Sequence, residues 1–252
     1  MTPPLVALIT AGSAGLGAAT ARLFARNGIR LVISYDINGQ RAYDLVEELT
    51  NISPLTAAST DCQDNYVALK VDLAEKDQIS QLVDNTIFIM GKLDIVFSNG
   101  TWIRLRDIND LDDNVNEEDW DMCFNMNVKS HLWLMHAAKP YLDQTEGVFI
   151  TTACLSGVIV SGSSLAYSVT KAAQIHLAKG LAHIAAPKIR VNTVSPGPML
   201  TDWGLQFPPE KQEEARERSK LNRLDVAEQV LCFVKSKSVT GVNAIIDGGM
   251  AL

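Results

Sequence analysis

Cysteine is scarce in this chain of 252 residues: Cys62, Cys123, Cys154 and Cys232 lie far apart and form no CxxC pair, which argues against a disulfide framework and a zinc site. Basic residues are also few. Lys and Arg number 22 against 29 Asp and Glu, a formal charge of -7, so no basic stripe is available for nucleic acid or for an anionic membrane. No apolar run approaches the roughly 18 residues that span a bilayer. The N-terminal MTPPLVALITAGSAGLG has no basic region ahead of its apolar run, which leads into glycines rather than a cleavage site, so the expected address is cytoplasmic. His131, His136, His176 and His183 fall in helical patterns at spacings other than the i, i+4 of a helical metal pair, and no metal site is expected.

What is present suits one large core, with 47% apolar and 20% charged residues. Short β-branched runs alternate with longer helical patterns from end to end, which predicts a single α/β domain over residues 1–252, a doubly wound parallel sheet with helices on both faces. Strands are expected at Leu5–Ile9, Arg30–Tyr35, Tyr66–Val71, Leu93–Ser98, Val148–Thr152, Ile189–Val194 and Asn243–Ile246. Helices are expected at Leu16–Arg26, Arg41–Leu49, Lys76–Met90, Glu118–Lys139, Leu165–Ile184 and Val226–Val234. The polar stretch Asn51–Asn65 reads as a loop insertion, and Thr201–Leu221 as a small substrate lid. The carboxylates Asp107, Asp110, Asp112, Asp113, Glu117 and Glu118 read as a solvated loop with N-terminal helix charges rather than a cation site.

In VALITAGSAGLGAATARLF a buried strand, a turn holding Gly12, Ser13, Gly15 and Gly17, and a helix from Leu16 follow one another directly. That order is what a dinucleotide fingerprint requires, because glycines let the backbone approach a pyrophosphate while the helix N-terminus offers unpaired N–H donors. Asp36 ends the second strand 19 positions after Gly17, where a carboxylate meets the adenosine ribose. A carboxylate accepts from a ribose diol and repels a 2′-phosphate, so NAD(H) is favoured. Arg41 keeps NADP(H) open, should its guanidinium turn toward the site.

Tyr167 and Lys171, four apart in AYSVTKAAQIHLAKGLA, project from one helix face. A fixed ammonium beside a phenol favours phenolate and brings it toward the range of a general acid-base. With the glycine turn and the α/β alternation, this pair resembles the classical short-chain dehydrogenase/reductase family over nearly the whole chain. The resemblance implies Tyr167 as proton donor or acceptor, Lys171 on the nicotinamide ribose, and Asn127 in WDMCFNMNVKS as anchor of a relay water. It also implies Asp72 and Leu73 beside the adenine, and Asn99 and Gly100 at the end of the fourth strand. Pro196, Gly197, Met199 and Thr201 in VSPGPMLT correspond to the turn over the nicotinamide, and Asp247, Gly248 and Gly249 to the C-terminal signature.

Three departures stand out against that family. Ala11 replaces the first glycine of TGxxxGxG, and the usual NNAG reads SNGT at Ser98–Thr101. Thirteen positions before Tyr167, where the family carries its serine, stands Cys154, with Ser156 two residues on. A thiol is a weaker hydrogen-bond donor than a hydroxyl. The expected activity is NAD(P)(H)-dependent interconversion of a carbonyl and a secondary alcohol. Trp102, Cys154, Ser156, Trp203, Leu205 and Phe207 would form a pocket for a bulky, rather apolar small molecule. The alternative is a scaffold that binds its dinucleotide but turns over slowly, as a cofactor sensor or a non-redox cyclase or isomerase. The resemblance further implies a homodimer or homotetramer.

Overall fold

The computed structural model describes residues 3–55, 64–199, 209–210, 213, 217, 219–221 and 225–252. The elements run β1 (Val6–Ile9), α1 (Gly15–Arg26), β2 (Arg30–Tyr35), α2 (Gly39–Ile52), β3 (Tyr66–Lys70), α3 (Lys76–Met90), β4 (Ile95–Ser98), α4 (Glu117–Phe124), α5 (Ser130–Thr145), β5 (Val148–Thr152), α6 (Leu165–Ala185), β6 (Arg190–Pro196), α7 (Val226–Lys235) and β7 (Asn243–Ile246). All seven strands pair in parallel in the order β3-β2-β1-β4-β5-β6-β7. The chain starts at the centre with β1, runs out to β3 and returns to β4, so the strand order reverses between β1 and β4. A crevice opens there at the carboxyl ends of the strands.

The sheet divides two cores by the two-residue period of its strands. Ala7 and Ile9 of β1 face α1, α2 and α7 with Phe24, Leu49 and Val230. Val6 and Leu8 face α3, α5 and α6 with Leu82, Leu134 and Leu181. β1, β4, β5 and β6 are buried along their whole length, because helices cover them on both sides.

The pattern expected as one helix over Glu118–Lys139 is two. α4 passes into a five-residue π-helical turn at Asn125–Lys129 before α5 begins, and that turn carries Asn127. α5 then runs on through Pro140 to Thr145. Proline removes one helical hydrogen bond, and the turn beyond it is held by Leu142, wholly buried in the second core.

Between β4 and α4 the acidic segment is tied to itself and to α6. Arg106 bridges Asp113 and Asp119, and the Asn114 amide donates to the Asp107 and Asp110 carbonyls at 2.6 and 2.7 Å. Asn114 Oδ1 in turn accepts from the Leu165 N–H at 2.8 Å, and Ser163 O accepts from the Arg106 N–H at 2.7 Å. The loop is thereby fastened to the start of the helix that carries Tyr167 and Lys171.

Of the expected Asn51–Asn65 loop, Asn51 and Ile52 end α2, and residues 56–63 lie outside the described residues. So does most of the expected lid, including Thr201, Trp203, Leu205 and Phe207. At its far end Lys220 and Leu221 donate their N–H groups to Gly248 O at 2.7 and 3.0 Å. Among the described residues no helix is long and apolar enough to cross a membrane.

Candidate active site

The glycine turn is shaped by close backbone approach. A Cβ on Gly12 would lie 2.8 Å from Ile33 Cβ, and one on Gly17 would strike the Ala11 carbonyl and sit 2.9 Å from Gly12 Cα. Gly12 donates its N–H to Ser34 O at 2.8 Å, and Ala11 donates to Ser34 Oγ at 3.1 Å, which fixes the turn to β2. Helix α1 then opens at Gly15 with no side-chain cap from Ala14 and no acidic residue in its first turn. Its leading N–H groups are left for an anion, at the positively polarised end of the helix dipole. Leu16 turns its side chain into the first core, so only its backbone faces the turn. A cavity of about 330 Å³ opens beside Ser13, Ala14 and Gly15, walled on its far side by Arg41 and by the ion pair of Arg22 with Glu48. These residues fit a dinucleotide's phosphates. Asp36 stands exposed just past the end of β2.

Ala11 has φ +48°, the left-handed region. The residue that replaces the family's first glycine thus keeps a glycine's backbone, at a steric expense of roughly 1–2 kcal/mol for an L-residue with a Cβ.

Asn99 pins three strand ends. Its N–H donates to Thr10 Oγ1 at 2.9 Å, its Nδ2 to Ala11 O at 3.4 Å, and its Oδ1 accepts from Thr152 Oγ1 at 3.0 Å. The neighbouring Gly100 N–H reaches the same Thr10 hydroxyl at 3.3 Å, and a Cβ there would run into Leu73 Cδ1. Asp72 accepts the Ala74 N–H at 2.8 Å and turns the chain toward α3, while Leu73 packs in the second core. At the end of β6, Pro196 and Gly197 are buried. A Cβ on Gly197 would sit 3.0 Å from Asp247 Cα, which explains the glycine; Met199 packs partly against the first core.

On the other side of the crevice, Ser164 caps α6 by accepting the Tyr167 N–H at 3.2 Å. Lys171, one turn on, is wholly buried, with Nζ 5.6 Å from the Tyr167 ring centroid. Its ammonium donates to Thr152 O at 3.0 Å and Gln174 Oε1 at 2.8 Å. Burial brings the lysine down to about 8. The Cys154 thiol, just past the end of β5, donates to Ser156 Oγ at 3.4 Å. Both it and the Thr101 hydroxyl lie against the Tyr167 hydroxyl. A Cβ on Gly162, at φ +103°, would meet Ser156 Oγ at 2.5 Å, so the chain can pass Ser156 this closely only at a glycine.

One sequence expectation is corrected here. The ammonium does not hold the Tyr167 phenol below its ordinary range. Burial, and then the neighbouring Cys154 thiol, push it well above that range, and Thr101 opposes this only in part. Desolvation penalises phenolate more than a lysine that itself gives up its proton near pH 8 can offset.

Asn127 is brought to the site with all four hydrogen-bonding positions of its amide in use. Oδ1 accepts from Thr101 Oγ1 at 2.9 Å and the Trp102 N–H at 2.8 Å, and Nδ2 donates to Trp102 O at 3.0 Å and Thr170 Oγ1 at 3.1 Å. The side chain clamps the loop after β4 against α6. Half-buried Trp102 is held there by its backbone on both sides, with the Arg104 guanidinium 5.7 Å from its ring centroid. Sequence reasoning missed Thr101, although the SNGT departure marked its position. It also missed Gln174, whose i, i+3 spacing from Lys171 was there to read, and His131, which the fold alone brings to Gln174. Among the described residues no group of three metal-ligating side chains occurs.

A wound parallel sheet with a phosphate-binding turn at its switch point, and a tyrosine and lysine facing it across the crevice, defines a nicotinamide-dinucleotide oxidoreductase. A family model described as enoyl-(acyl carrier protein) reductase matches residues 10–251. Secoisolariciresinol dehydrogenase of Forsythia intermedia is 33% identical over 262 residues, covering 98% of this chain and 89% of its own. Among solved structures, a 7α-hydroxysteroid dehydrogenase in complex with NADH and 7-oxo glycochenodeoxycholic acid superposes with a TM-score of 0.86 at 26% identity, covering 97% of this chain and 93% of that one. A short-chain dehydrogenase of Burkholderia cenocepacia J2315 in complex with NADP gives 0.85 at 28%, covering 98% and 97%. The chain belongs to the short-chain dehydrogenase/reductase family, and it is an NAD(P)-dependent oxidoreductase.

The left-handed Ala11 yields a direct test of the turn. Ala11→Gly removes the Cβ from a backbone that already has glycine's geometry and should stabilise the protein by roughly 1 kcal/mol, a rise of about 2–4 °C in Tm for a domain of this size. Thermal denaturation checks it, and an unchanged or lower Tm would show that the turn carries no such strain.

Proposed function

We propose that the protein interconverts a ketone and a secondary alcohol on a bulky, rather apolar small molecule, with NAD(H) preferred and Tyr167 as general acid-base. The observation that carries this reading is the convergence of the Tyr167 hydroxyl, the Cys154 thiol and the Lys171 ammonium at the carboxyl ends of the strands, across from the nucleotide cradle. The bound dinucleotide would supply or accept the hydride. Tyr167, whose phenol keeps its proton at neutral pH, donates it to the carbonyl oxygen in reduction and takes it back in oxidation. Lys171 has two N–H groups engaged by Thr152 O and Gln174 Oε1 and one left for the nicotinamide ribose. Cys154 offers the substrate oxygen a weak donor, already shared with Ser156.

Trp102 and Ser156 belong to the pocket wall in this reading. The name of one relative, secoisolariciresinol dehydrogenase, and the 7-oxo glycochenodeoxycholic acid bound to the 7α-hydroxysteroid dehydrogenase support a bulky molecule. The exposed apolar residues Leu132, Val169 and Ile184 on α5 and α6 support self-association through these helices as a homodimer or homotetramer.

Cofactor choice rests on Asp36. Its carboxylate suits a ribose diol and repels a 2′-phosphate, whereas Arg41 on the cavity wall is the route by which NADP(H) would be held. Calorimetric titration should find NAD(H) bound more tightly than NADP(H), with the gap narrowed in Asp36→Ala. Tighter NADP(H) binding to the unaltered protein would overturn the preference.

Tyr167→Phe removes only the titrating hydroxyl, so turnover on the best ketone or alcohol from an absorbance screen should vanish while nucleotide affinity is kept. Full activity in that variant would rule out Tyr167 as the acid-base.

Cys154→Ser restores a hydroxyl donor and should raise kcat by up to roughly 10²-fold, whereas Cys154→Ala should resemble the unaltered protein. Equal rates in all three would show that position 154 does not touch the reacting oxygen. The thiol also favours a second reading, a dinucleotide-binding protein with slow redox turnover that serves as a cofactor sensor or a non-redox cyclase or isomerase. Tight nucleotide binding with no absorbance change on any substrate, restored by Cys154→Ser, would mark that case.

A further inference from the structure

Behind Lys171 lies a buried polar cluster that the acid-base chemistry does not use. Gln174, on the same face of α6, accepts from Nζ with its Oε1, so its Nε2 points the other way. There it meets Thr152 O at 3.0 Å, the Thr151 hydroxyl, and His131 Nε2 at 2.9 Å. This orientation sets the histidine's tautomer. His131 Nε2 must accept, so the ring proton sits on Nδ1, which faces Ser98 Oγ at 2.6 Å and Thr151 Oγ1 at 3.2 Å. Ser98, His131, Thr151, Lys171 and Gln174 are each no more than 2% exposed. Polar groups in such a place are costly unless satisfied, and apolar residues of similar shape would fill it at no such penalty.

We propose that Gln174 and His131 are positioning residues for Lys171: a neutral acceptor clamp that holds the ammonium without a counter-charge, leaving its field and its remaining N–H for Tyr167 and the nucleotide. The proposal rests on the reading of Lys171 given above. A carboxylate at position 174 would hold the lysine equally well but would cancel its charge as seen from Tyr167; an amide holds it and leaves the charge whole. The Thr152 carbonyl and His131 Nε2 together hold the amide N–H end away from the lysine, both accepting from it, and leave the oxygen for Nζ.

The titratable groups facing Lys171 are Tyr167 on its own helix, Cys154 after β5, Cys123 on α4 and His131 on α5. Burial moves Cys123 up to about 11 and, with the neighbouring Lys171 charge, His131 down to about 3, so both are neutral across the physiological range. No carboxylate is among these groups.

The test is an NMR pH titration of nucleotide-free protein carrying ¹³C at the lysine ε-carbons, with the Lys171 signal identified by its loss in Lys171→Met. The unaltered protein should show a transition near pH 8. Gln174→Glu should move it upward by about one unit or more, as an adjacent opposite charge does. His131→Leu does not touch Nζ, yet it should move the transition downward, because the amide N–H end then keeps only its Thr151 and Thr152 partners and its oxygen is held less firmly on the ammonium. In alcohol oxidation, Gln174→Glu should also shift the pH limb set by Tyr167 to higher pH, since the new carboxylate offsets the ammonium. Should Gln174→Glu fail to fold, Gln174→Met carries the test, with a downward shift expected.

One transition shared by the unaltered protein and its folded variants would overturn the clamp and leave the cluster as packing alone. Shifted transitions in a protein that turns over no ketone or alcohol would uphold the clamp and sink the ketone–alcohol chemistry proposed above, so the two failures are distinct.

Discussion

Lys171 carries its charge where water does not reach, and the protein has to supply the solvation that water would. An isolated ammonium moved into a protein interior loses several kcal/mol even after relaxation, and among the described residues no carboxylate pairs with it. Two oxygens stand in for water: the Thr152 carbonyl, where β5 ends, and the Gln174 amide one turn along α6. Each of these is fixed by something else. Thr152 also donates its hydroxyl to Asn99, which ties it to β1 and the glycine turn. Gln174 is oriented by His131 of α5, which leans on Ser98 of β4. A single buried charge therefore links both halves of the crevice through a continuous run of hydrogen bonds.

The same economy governs the glycine turn. Strand, turn and helix approach so closely that a side chain at Gly12 or Gly17 has no room. At Ala11 there is room for a methyl group, yet the backbone is still bent to the left-handed region. Space and torsion are separate demands, and Ala11 meets the first while straining the second. Because the turn is held to β2 by Ser34 through both its side chain and its carbonyl, the strained conformation persists.

Around the reacting oxygen the departures from the family reinforce one another. Thr101 stands where the family has a glycine, and its hydroxyl joins Asn127 to the Tyr167 neighbourhood. Cys154 stands where the family has a serine, and its thiol is turned partly to Ser156. The phenol thus faces one weak donor and one hydroxyl of the loop after β4, in a setting dry enough to keep its proton. In the function proposed here such a site acts first as a proton donor, and it becomes a base only as the surroundings favour the phenolate.

The local order of residues was enough for much of this. Apolar β-branched runs and glycine punctuation located all seven strands, most plainly β1, β4, β5 and β6, which helices cover on both faces. Asp36 after the second strand, Tyr167 and Lys171 at helical spacing, and Cys154 thirteen residues earlier were all visible as positions along a chain. The tertiary structure decided what depends on neighbours distant in sequence. His131 lies 43 residues from Gln174 and Thr101 lies 26 from Asn127, so no spacing rule joins them. The π-helical turn that presents Asn127 has no compositional sign, since it adds one residue to a helix without changing its character. The direction of the Tyr167 ionisation was likewise beyond the sequence: a nearby lysine is a local fact, but the desolvation that outweighs it is the sum of everything folded around the hydroxyl.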